Sequence, residues 1–136
     1  MTTTMATWFR SAAFGAGLAL AGVFGFNGVA SAHHSFAPFD MESEKTIEGD
    51  IVEFQWTNPH TWTWLNVKND DGSVTRWGLE GMSPNFLGRR GWTRETLKPG
   101  DRVKVVIHPL KNGDPGGTFL RVTLADGTEK VMFGGR

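Results

Sequence analysis

The chain has four histidines, His33, His34, His60 and His108, and no cysteine. Imidazole is therefore its main source of metal-ligating or proton-transfer chemistry. None of the four falls in a fixed ligand spacing such as HExxH. His33 stands out by position, because it follows Ala30-Ser31-Ala32, the small-x-small pattern that signal peptidases accept. Cleavage between Ala32 and His33 would make His33 the first residue, with a free α-amine beside its own imidazole.

Those two nitrogens can close a chelate ring on one ion, and a second imidazole would complete a three-nitrogen site. The constellation resembles the histidine brace of exported copper proteins, and copper is the cofactor it implies. Copper(II) tops the affinity order for nitrogen ligands and favours tetragonal geometry. An α-amine is ordinarily protonated below about pH 8, so its occupancy by metal is expected to fall in acid. Shifting the cut by one residue would remove the chelate ring and leave His34 as a weaker ligand.

His60 is the first choice for the partner imidazole. It follows Asn58-Pro59 in the turn after the first strand, and Glu80 closes the third strand. Strand three is expected to end at the same end of the fold as that turn. Glu80 then either joins as a ligand or orients an imidazole from behind. His108 closes the fourth strand, which should run antiparallel to the first and so end far from His60. It forms the alternative pocket, with Asp114.

Trp62, Trp64 and Trp77 cluster on strands two and three. They form either an aromatic platform for a flat ligand or part of the core. Phe36 and Phe39, in the stretch before the first strand, can cover that face. No nucleophilic triad can be assembled, since cysteine is absent and no serine sits in a GxSxG elbow. The glycines at 113–117 do not form a phosphate loop. No residue is assigned a catalytic role.

These groups must be held by a small exported domain. Residues 1–32 read as a signal peptide. Arg10 is their only charge, and residues 11–26 are apolar throughout, too short a run to span a bilayer. The expected location is periplasmic or secreted, with no membrane attachment after cleavage. Of the 14 basic residues only Arg10 precedes His33, against 14 acids that all follow it, so the remainder carries a net charge near −1. A nucleic-acid binder would show a basic face, and nucleic acid is not an expected partner. Without disulfides the domain stands on its apolar core, to which five Trp and six Phe after residue 32 contribute.

Residues 33–45 lack any period and read as an extended arm. Thr46–Trp56 alternates with a change of phase near Ile51-Val52, the mark of a bulged or coiled strand. Thr61–Lys68 and Val74–Glu80 flank the turn Asn69-Asp70-Asp71-Gly72. Ser83-Pro84 predicts a short helix running toward Gly91, with Arg89 and Arg90 in its last turn. Arg102–His108, Thr118–Leu124 and Lys130–Phe133 complete the strands. Five strands, a helix between the third and fourth, and an added terminal strand predict an all-β, small α+β domain over residues 46–136. Its form is an OB-fold-like five- to six-stranded barrel, with a six-stranded open sandwich as the alternative.

AHHSFAPFD, FQWTNPH, WGLEGMSPNFLGRRGW, LKPGDRV and HPLKNGDPGG occur in that order. The series resembles a family of small exported bacterial proteins known as a domain of unknown function. The likeness implies export and a small β-rich domain, and it transfers no activity. The leading expectation is an exported copper-binding module built on the N-terminal histidine site. The alternative is a metal-free periplasmic module that binds a ligand or a partner protein through its aromatic face.

Overall fold

The computed structural model describes residues 36–134. His33, His34 and the segment read as a signal peptide lie outside them. The elements are β1 (Lys45–Gln55), β2 (Trp62–Lys68), β3 (Val74–Glu80), α1 (Pro84–Gly88), β4 (Arg102–Pro109), β5 (Gly116–Thr123) and β6 (Glu129–Val131).

The long first strand makes the barrel possible. Its opening half pairs antiparallel with β4, from Lys45↔Ile107 to Asp50↔Arg102. Its closing half pairs antiparallel with β2, from Asp50↔Asn66 to Gln55↔Trp62. The register shifts between Ile51 and Glu53, where the alternation of apolar residues changes phase. A bulge there bends the strand so that one element serves two neighbours. β2 and β3 form a hairpin whose turn places Gly72 at φ 84°, a conformation that costs glycine nothing.

The sheet runs β3-β2-β1-β4-β5-β6 and closes through a parallel pairing of β3 with β5. Gly78, Leu79 and Glu80 oppose Gly116, Gly117 and Thr118. Five strands thus form a closed barrel, with β6 as an extra strand on the far half of β5. The single helix lies between β3 and β4, the order expected of an OB-like barrel.

Alternate residues of each strand point inward. Leu65, Leu79, Val105, Ile107, Phe119 and Val122 are fully buried, each contributing about 1.5–3 kcal/mol through lost contact with water. Leu87 of α1 is buried in the same core. Trp92 packs edge-on against Phe119 and donates its indole N–H to the Val131 carbonyl at 3.0 Å. Trp77 belongs to this inward set and packs against the core.

α1 starts as predicted, with Ser83 Oγ accepting from the Phe86 amide at 3.3 Å and Pro84 in the first turn. It ends earlier than predicted. Arg89 is its C-cap, no basic residue lies in its last turn, and the Arg90 guanidinium sits 4.0 Å from the Phe86 ring centroid. That arginine is placed by its aromatic neighbour rather than by the helix dipole.

The arm is ordered against the end of β4. Phe39 bridges to Leu110, Asp40 N–H donates to the Pro109 carbonyl at 2.8 Å, and Lys111 N–H donates to the Pro38 carbonyl at 2.9 Å. Phe36 meets Phe133 with ring centroids 5.3 Å apart. The described part of the arm thus packs Phe36 and Phe39 on Phe133 and Leu110 rather than on the tryptophans of β2.

Candidate functional site

The turn between β1 and β2 places His60. Thr61, the next residue, exchanges backbone hydrogen bonds with Gly81 and Met82, and its hydroxyl donates to the Met82 carbonyl at 2.9 Å. The Thr57 hydroxyl donates to the His60 carbonyl at 3.1 Å. These ties draw the end of the turn against the end of β3. There His60 Nδ1 meets a carboxylate oxygen of Glu80. The rings and carboxylate are only a fifth to a quarter exposed, 20% for His60 and 25% for Glu80.

A carboxylate facing Nδ1 requires a proton on that nitrogen, so a neutral His60 ring carries its lone pair on Nε2. A carboxylate behind one ring nitrogen, with the other turned to a ligand, is the usual support for a metal-binding histidine. In that geometry Glu80 orients His60.

His108 lies nearer to this pair than the run of β4 beside β1 implies. Thr118 of β5 is in register with Glu80 on one side and His108 on the other. Two inter-strand steps amount to about 10 Å. The parallel closure of the barrel, which alternation along a single strand does not disclose, brings them together. His108 makes no pair with Asp114. That carboxylate accepts from the Asn112 side chain at 2.7 Å within its own loop. His108 Nδ1 instead lies 2.6 Å from the Ser43 carbonyl, a contact that requires the proton on Nδ1 and ties the ring to the arm. His108 lines an open groove of about 270 Å³ with Glu44, Arg121, Glu129 and Phe133.

Trp62 and Trp64 point outward from β2, and the inward set holds Trp77, so the expected trio is split. The two outward indoles are 6.0 Å apart and nearly parallel, at 18°. Trp77 lies on the other face, with Lys45 Nζ 4.8 Å from its centroid.

Sequence reasoning missed Met132. It is fully buried, and its sulfur fills the place a Cβ would take at Gly81, beside the Thr61 hydroxyl. The backbone amides of Met132 and Phe133 both donate to the Leu120 carbonyl, at 2.8 and 3.0 Å. The tail after β6 thus runs beside the residues that flank His60 and Glu80. Lys130–Phe133 reads from the sequence as a short strand, whereas β6 ends at Val131 and a run of four residues does not disclose what Met132 packs against.

Among the described residues, no three His, Cys, Asp or Glu side chains converge as a metal site. No helix among them is long and apolar enough to cross a membrane.

The profile of a family of unknown function (DUF6152) matches residues 22–121. The chain belongs to that family. The DUF6152 match spans all four histidines, Glu80 and the tryptophans of β2 and β3, and stops within β5. No curated protein and no solved structure matches the chain.

Proposed function

We propose that this DUF6152 protein is an exported, periplasmic module that binds copper(II) at the N-terminus of its mature form. The α-amine and imidazole of His33 supply two nitrogens and Nε2 of His60 the third. Glu80 positions the His60 ring, while His34 and His108 stand outside the set. A periplasmic protein partner would deliver or receive the ion.

The observation that carries this reading is the Glu80 carboxylate against His60 Nδ1. It favours the tautomer and ring orientation that a metal ligand needs. The ordered arm adds support. Phe36 packs on Phe133, the neighbour of Met132, which touches the residues adjoining His60 and Glu80. His33 lies three residues before Phe36, and three residues span up to about 10 Å.

Calorimetric titration with copper(II) tests the proposal on protein beginning at His33 and on a version with one glycine ahead of it. The expected result is sub-micromolar binding that the extra residue weakens at least tenfold. Binding weaker than micromolar, or indifferent to the added glycine, overturns it. Mass spectrometry of the exported protein tests the cleavage site directly.

A further inference from the structure

We infer that the outer face of β1–β2–β3 is a binding surface for a neutral oligosaccharide, with Trp62 and Trp64 as the stacking platform. The inference is carried by the layout of that face and does not depend on copper.

Trp64 reaches across to β3 because residue 78 is glycine. A Cβ at Gly78 would lie 2.5 Å from Trp64 Cζ3 and 2.9 Å from Cη2. The indole occupies the space above the strand where a side chain would stand. Trp62 lies 6.0 Å away and only 18° from parallel. The stacked pair stands on the outer sheet face as one aromatic block, with both residues half-buried.

Polar groups border both rings. On β1, Glu53 is the register partner of Trp64 and Gln55 that of Trp62. Gln55 Nε2 donates to Glu53 Oε1 at 3.1 Å, which fixes the direction of the amide. On β3, Glu80 is the register partner of Trp62, and the Arg76 guanidinium lies over the Trp64 ring, 5.5 Å from its centroid. Pyranose rings have the matching chemistry. Their C–H faces lie on aromatic rings, and their equatorial hydroxyls point sideways toward carboxylate, amide and guanidinium groups.

The same layout argues against other occupants. A single-stranded nucleic acid needs a basic track beside its stacking rings, whereas two carboxylates border these. Protein–protein interfaces are depleted of Glu and Asp, whereas Glu53 and Glu80 stand in register with these two indoles.

The test uses metal-free protein in the presence of a chelator. Retention on insoluble chitin and cellulose and calorimetry with chitohexaose and cellohexaose are measured for the natural chain, W62A, W64A and W77F. The expected result is binding to at least one of these polymers and its hexasaccharide. W62A and W64A each weaken it at least tenfold, and W77F, on the inner face, leaves it unchanged. Both alanine variants alter outward positions, and their thermal melts are checked against the natural chain. Absence of saccharide binding overturns the proposal, as does binding that survives W62A/W64A together. Saccharide binding that appears only after copper is added also overturns it, while leaving the copper reading intact.

Discussion

Glu80 and His108 are held on opposite sides of one residue, Thr118, although 28 positions of chain separate them. The Thr118 hydroxyl reaches back to the Glu80 carbonyl at 3.4 Å, and Thr118 is 6% exposed. The closing seam of the barrel thus sets the spacing of Glu80 and His108, two of the polar residues singled out from the sequence. Changes at this seam are expected to affect both stability and ligand binding.

Replacing Glu80 by Gln keeps the shape of the side chain and removes the charge behind His60. Loss of such a carboxylate typically lowers metal affinity by about 10- to 100-fold. Copper(II) calorimetry of E80Q should show a drop in that range with little change in thermal melting. Unchanged affinity would mean that Glu80 does not act on the ring.

Gly81→Ala puts a methyl group into space held by the Met132 sulfur and the Thr61 hydroxyl. Overpacking of this kind costs about 1–3 kcal/mol. In a domain of this size the expected result is a Tm lower by roughly 4–8 °C for each kcal/mol. Differential scanning calorimetry reads the effect, and an unaltered Tm would show that the tail does not pack there.

The Thr63 hydroxyl is buried inside the barrel, with no hydrogen-bond partner among the described residues. An unpaired buried hydroxyl is destabilising. Thr63→Val preserves the shape and removes the polar atom, so it is expected to raise stability by about 1 kcal/mol. Chemical denaturation measures this, and a clear loss of stability contradicts the expectation.

Asp40 anchors the turn of the arm. Its carboxylate accepts from the Ser43 hydroxyl at 2.6 Å and from the Glu42 amide at 3.3 Å. These bonds, the hydroxyl first, hold its carboxyl below the ordinary aspartate value of 3.8. A carboxyl lowered in the folded state stabilises at pH values above its unfolded pKa. The contribution is lost as pH falls through the folded value. Amide exchange of residues 36–44 should therefore quicken only in strong acid, below about pH 4. In D40N that exchange should be faster already at neutral pH, with no such acid transition.

Local rules captured the strands and the barrel they form, but not the register of the β3–β5 pairing that closes it. The phase change at Ile51-Val52 marked the bulge in β1, and Ser83-Pro84 marked the start of α1. The end of α1 was misread because Gly91, at φ 75°, terminates the turn after the helix. The backbone amides of Arg90 and Trp92 both bond to the Leu87 carbonyl there. Gly116 and Gly117 read as loop because they have no side chain to show alternation. In the barrel they are buried strand residues, and a Cβ at Gly117 would lie 2.5 Å from the His108 carbonyl. Of the candidate site, the pairing of His60 with Glu80 followed from both lying at one end of the barrel. The split of Trp77 from Trp62 and Trp64 follows from strand parity: the inward set is Thr63 and Leu65 on β2 with Trp77 and Leu79 on β3.

The contact between Phe36 and Phe133 joins the two extremities of the described chain. An affinity tag or fusion appended after Arg136 would begin only a few positions beyond Phe133 in the sequence. Recombinant versions tagged at that end put added chain close to the residue that Phe36 packs on. A removable tag, cleaved before any titration, leaves the Phe36–Phe133 contact undisturbed.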